Sequence, residues 1–70
     1  MTDKTTQQIA KKLKQARLQK GLTQLMLAEK AGINANYYAK VERGELSPSS
    51  ATMLDIIKAL GIKSSDIFSF

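Results

Sequence analysis

Residues 24–43, QLMLAEKAGINANYYAKVER, leave the chain little freedom in how it folds. Ala28 is followed four positions later by Gly32, and apolar residues stand six and nine positions beyond that glycine, at Tyr38 and Val41. Two short helices crossing at a tight turn require these residue types. A bulky side chain at Ala28 would push the second helix away. A β-branched residue at Gly32 would strain a turn that uses the left-handed backbone glycine tolerates. Leu27, Ala31, Ile33, Tyr38 and Val41 would then face a core, so the second helix buries one side and displays the other.

The rest of the chain reads as support for this pair. Each glycine is followed within two to five residues by a good helix N-cap: Thr23 after Gly21, Asn34 after Gly32, Ser49 after Gly44 and Ser64 after Gly61. This punctuation predicts five helices. The first spans 6–20, with Thr5 and Gln8 as a capping box and Ile9, Leu13 and Ala16 as its inward stripe. The second spans 24–31 and the third 35–43. Pro48 marks the start of the fourth, over 49–60, whose apolar Met53, Leu54, Ile56, Ile57 and Leu60 suit the central helix of a small bundle. Ser64 caps a last turn through Ile67, with Asp66 placed for the helix dipole. No segment alternates with period two over a useful length, which argues against strands. The expected fold is all-α, a compact five-helix bundle around the central pair.

Composition narrows the function. Seventy residues predict one domain, 1–70, with its core at about 6–68. A core this small supplies about 3–5 kcal/mol unless a second copy assists it. With no cysteine and no histidine, disulfides, zinc fingers, thiol chemistry and the commonest general base are removed. The six acidic residues are scattered, and no phosphate loop or metal-ligand cluster accompanies them. No catalytic residue, metal, cofactor or small-molecule substrate is expected. Apolar runs are too short to span a membrane and the first residues lack the apolar core of a signal peptide, so a cytoplasmic protein is expected. The first helix is amphipathic and basic, but its apolar face is narrow and lacks Trp and Phe, which favours a core helix over a membrane-surface one.

The net charge of +5 is unevenly placed. Residues 1–43 carry nine Lys/Arg against three Asp/Glu, and residues 44–70 carry two against three. A basic front suggests a polyanionic partner, although a solvated lysine-rich surface would give the same count. The aromatics needed to stack single-stranded RNA bases are scarce.

The spacing in the central pair is the helix-turn-helix pattern. Leu13-x3-Arg17-x3-Gly21-Leu22-Thr23-Gln24-x2-Leu27-Ala28-x3-Gly32, followed by Val41-Glu42-Arg43-Gly44 and Pro48-Ser49, closely resembles the phage-repressor and Cro-like DNA-binding family, also called the xenobiotic-response-element type. The resemblance covers about residues 9–67, nearly the whole sequence, so no separate effector domain is expected. It implies a lambda-repressor-like domain that regulates transcription, as a repressor, by binding a palindromic double-stranded operator as a homodimer. Residue by residue it implies that Ala35, Asn36 and Lys40 face base edges in the major groove. Gln24, Asn34, Tyr37 and Arg43 would contact phosphates, Gln24 also bracing Asn36, and Arg17 and Glu42 would form an internal salt bridge. Solvent exposure is the plainer reading of Asn36 and Lys40, and a free phosphate contact that of Arg17.

Tyr38 is assigned to the core and Tyr37 to the surface. The apolar tail Ile62, Ile67, Phe68 and Phe70 is assigned to a symmetric dimer contact. The chain departs from the family pattern at Glu45, where relatives often carry a basic residue, at Leu25 and Met26, usually polar, and at Ser50, often a core leucine. Leu25, Met26 or the tail would serve the alternative function, a protein-interaction adaptor or antitoxin-like partner binder on the same fold.

Overall fold

The structure, a computed structural model, describes residues 4–68. Among these, α1 spans Lys4–Gln19, α2 Gln24–Ala31, α3 Ala35–Glu42, α4 Ser50–Leu60 and α5 Ser64–Phe68, and no strand occurs. α4 packs on α2, α2 on α3, and α1 on both α3 and α5. Leu13, Leu27, Tyr38, Ile56 and Ile67 are fully buried where these helices meet.

Local chemistry sets most helix ends. Thr23, Asn34 and Ser49 are extended N-caps whose side-chain oxygens accept the backbone N–H of Met26, Tyr37 and Thr52. Each interaction satisfies one donor that the first helical turn cannot use internally. Two predicted caps differ. Thr5 lies inside α1, which already runs from Lys4. The first turn of α1 is held by tertiary partners: the Thr6 and Ser47 hydroxyls lie 3.0 Å apart, and Gln7 Nε2 donates to the Gly44 carbonyl at 3.0 Å. Ser64 is the first residue of α5 rather than its cap. Asp66 reaches back to the Lys63 N–H at 3.0 Å, half of a capping box built one residue earlier.

α1 buries Ala10, Leu13 and Arg17, with Ile9 and Ala16 at the margins of the stripe. Leu54, expected in the core, is 51% exposed. Met53, Ile56, Ile57 and Leu60 already form the i, i+3, i+4, i+7 stripe of α4, and Leu54 falls outside it. Ile67 is only 1% exposed and belongs to the core of its own chain, so its assignment to a dimer contact is corrected. Ile62 is half-buried, Phe68 is 44% exposed, and Phe70 lies outside the described residues.

Candidate nucleic-acid interface

The turn between α2 and α3 is built from three residues. Gly32 has φ +73°, and the Ile33 N–H returns to the Ala28 carbonyl at 2.9 Å, which closes α2. Asn34 then opens α3, its Oδ1 accepting the Tyr37 N–H at 3.1 Å. Ala28 is buried at the crossing.

With the turn fixed, the helical period decides what α3 displays. Tyr38, Val41 and Glu42 are buried, and Asn36, Lys40 and Arg43 are exposed. The exposed three stand four and three positions apart, one row along the opposite side of the helix. Ala35 and Tyr37 flank the row, half-buried and packed against the core. Tyr37 is therefore less of a surface residue than expected, because its ring lies along the edge of the core. Asn34 is exposed, with its oxygen committed to the cap.

A buried ion pair ties the pair of helices to α1. Arg17 Nε donates to Glu42 Oε2 at 2.6 Å and Arg17 Nη2 to Oε1 at 3.0 Å. Arg17 Nη1 donates to the Leu22 carbonyl at 2.7 Å. The side chains are 9% and 2% exposed. The half-buried Gln24, first residue of α2, adds an Nε2 donor to Glu42 Oε1 at 3.2 Å, so its amide meets Glu42 rather than Asn36. One carboxylate thus joins α1, the start of α2 and the end of α3. Burial would raise the Glu42 pKa, but the hydrogen bonds from Arg17 and Gln24 outweigh it and hold the carboxyl below its ordinary value. The Tyr38 hydroxyl is buried beside the pair and makes no hydrogen bond among the described residues. Burial first, and then the Glu42 carboxylate, push its pKa far up, so it stays neutral.

At the far end of α3, Arg43 Nε donates to Glu45 Oε2 in an exposed pair. The Glu45 N–H closes on the Lys40 carbonyl at 3.0 Å, which holds Glu45 over the last turn of α3. The sequence flagged Glu45 as out of place but not its partner; the i, i+2 pairing depends on the sharp bend at Gly44. The contacts of Gln7 with Gly44 and of Arg17 with Leu22 left no mark in the sequence.

Over residues 24–45, Lys30, Lys40 and Arg43 are matched by Glu29, Glu42 and Glu45. α1 carries Lys4, Lys11, Lys12, Lys14 and Arg17, with no acid between Lys4 and Gln19, and its Arg17 is paired with Glu42 of α3. Among the described residues no cluster of three metal-ligating side chains occurs, and no helix is long and apolar enough to cross a membrane.

This architecture has close counterparts. The immunity repressor of Bacillus phage phi105 is 39% identical over 59 residues, an alignment that spans 84% of this chain and 41% of that protein. The chain thus spans well under half the length of the curated relatives it matches. The restriction-modification controller C.AhdI from Aeromonas hydrophila superposes with a TM-score of 0.87 at 32% identity, covering 90% of this chain and 96% of that one. The controller C.Esp1396I, solved as a tetramer with its natural 35 base-pair operator, gives 0.88 at 25% identity over 96% of this chain and 88% of that one. A helix-turn-helix family model matches residues 13–67, from the core leucine of α1 to the buried isoleucine of α5. On that match, the chain belongs to the helix-turn-helix family of phage-repressor, xenobiotic-response-element type.

Proposed function

We propose that this chain is a sequence-specific regulator of transcription, of the repressor kind, that inserts α3 into the major groove of double-stranded DNA as a two-fold dimer. The observation that carries the reading is the exposed row Asn36, Lys40 and Arg43, held rigidly against α1 and α2 by the Arg17–Glu42 pair. Asn36 can pair bidentately with adenine and Lys40 suits guanine O6 and N7, while the Ala35 methyl can meet a thymine methyl. Gln24, Asn34 and Tyr37 surround these as phosphate contacts, and Arg43, at the end of the row, can join them only where it parts from Glu45. C.Esp1396I, which shares the fold, was crystallised on operator DNA, and that supports the same docking here. None of these groups forms a catalytic constellation, and the relatives are named as regulators.

A second copy is the proposed occupant of the apolar surface near the C-terminal helices. Leu54 and Phe68 are exposed and border a groove of about 360 Å³ that Ile9, Leu46, Met53 and Ile57 also line. A symmetric contact there would present two recognition helices to half-sites about one DNA turn apart.

Selection of bound duplexes from a random pool, followed by titration across salt, tests the reading. The expected result is a palindromic site bound with strong preference over random DNA and a steep salt dependence. Asn36→Ala and Lys40→Ala should each relax preference at one base position by about 1–3 kcal/mol. Absence of any duplex preference would refute the function. Unchanged binding in both variants would refute the recognition face, and a monomer by sedimentation on the selected site would refute the dimer.

A further inference from the structure

Resting on the DNA-binding reading, we propose that Glu45 is a brake on sequence-independent DNA binding: it withholds Arg43 from the phosphate backbone through the exposed Arg43–Glu45 ion pair. The pair sits at the end of the row Asn36, Lys40 and Arg43, where the last turn of α3 approaches whatever that row touches. Its position is fixed by the backbone. Gly44 takes φ +74° and the Glu45 N–H binds the Lys40 carbonyl, so Glu45 is folded back over the helix end.

The charge count gives the pair its consequence. Arg17 is committed to Glu42 inside the protein. With Arg43 committed to Glu45, Lys40 is the cation of the exposed α3 row that no carboxylate holds by an ion pair among the described residues. Sequence-independent affinity comes from phosphates neutralised by cations, whereas preference among sequences comes from base edges. A carboxylate spent on Arg43 subtracts from the first and leaves Asn36 and Lys40 to supply the second. Both partners stay charged at neutral pH: the hydrogen bond between them raises the Arg43 pKa and lowers that of Glu45. An exposed pair of this kind is weak and opens readily, so it acts by competition with phosphate and not as a rigid buttress.

The test is a double-mutant cycle of Glu45→Gln and Arg43→Ala, read by binding to a random-sequence duplex and to the selected site between 50 and 200 mM salt. Circular dichroism checks that each variant is folded; both side chains are exposed. Glu45→Gln should tighten binding to random duplex and steepen the salt dependence by about one phosphate charge. That corresponds to a gain about 3.5-fold larger at 50 mM than at 200 mM. Arg43→Ala should change wild-type binding by less than about twofold, yet abolish the gain in the Glu45→Gln background. An unchanged salt slope in Glu45→Gln overturns the brake. So does an Arg43→Ala loss as large in wild type as in Glu45→Gln, since Arg43 would then already be on DNA. If wild type binds no duplex at any salt, the DNA reading itself has failed. If wild type binds its selected site and Lys40→Ala weakens it while Glu45→Gln leaves the slope alone, the brake fails alone.

Discussion

Replacing Glu42 by alanine should remove the cooperative fold. Arg17 is nearly buried, and its guanidinium makes two hydrogen bonds to Glu42 and one to the Leu22 carbonyl. In Glu42→Ala the carbonyl remains as acceptor, and an uncompensated cation stays between α1 and α3. Stranding one partner of a buried pair costs about 3–5 kcal/mol. A single core in a chain this short supplies about the same, roughly 3–5 kcal/mol. The variant should therefore lack a sharp urea transition by circular dichroism, or show one shifted nearly to zero denaturant with the slope preserved.

The double replacement Arg17→Met with Glu42→Leu should behave otherwise. Filling the same space with apolar groups removes two desolvation penalties together with the attraction, and such exchanges are often neutral or stabilising. The half-buried Gln24 loses an acceptor there but lies within reach of water. A Glu42→Ala protein within about 1 kcal/mol of wild type would refute the argument, because it would mean Arg17 escapes to solvent at little cost. A double variant as unstable as Glu42→Ala would refute it from the other side, by making the pair's attraction rather than its desolvation the deciding quantity.

Acid should destabilise the wild type through the same carboxylate. Its folded pKa is held below the ordinary value of 4.5, so the stability it contributes is present above that value and is lost as pH falls below 4.5 through the folded pKa. Urea midpoints should be level near neutrality and fall below about pH 4.5, with a shallower fall in the Arg17→Met, Glu42→Leu protein; equal slopes would contradict the assignment. At the turns, Gly32→Ala should cost about 1 kcal/mol, since φ is +73° and an added Cβ meets nothing within 4 Å. Gly44→Ala should cost more, because its Cβ would lie 2.5 Å from Gln7 Oε1 and displace the Gln7 bond; thermal melts should show the excess vanish in a Gln7→Ala background.

The fold was legible wherever a residue's neighbour in space is also its neighbour in sequence. The caps at Thr23, Asn34 and Ser49 act over three residues, and the stripe of α4 repeats every three or four, so spacing alone revealed them. Thr5 failed by the same logic. Its cap pattern is intact, but the start of α1 is held by Ser47 and Gly44, some forty residues away, and a distant partner overrides a local preference. Ile67 and Leu54 also failed. Leu54 falls outside the i, i+3, i+4, i+7 stripe of its own helix, whereas Ile67 is admitted to the core by the packing of α5 against α1.

The outward side of α3 was readable in part: burying Tyr38 and Val41 leaves Asn36, Lys40 and Arg43 outside, whereas Ala35, grouped with Asn36 and Lys40 by resemblance, is half-buried against the core. How those side chains are spent was not. A formal charge reports what a residue carries and says nothing of what neutralises it. The basic front half therefore pointed to a polyanionic partner without saying which element meets it; most of its lysines lie on α1, and the formal charges of residues 24–45 cancel. A unit balanced in this way has little long-range pull of its own. On the proposed reading its discrimination comes from close contacts of Asn36 and Lys40, and the small number of those contacts is a physical reason for such a domain to act in pairs.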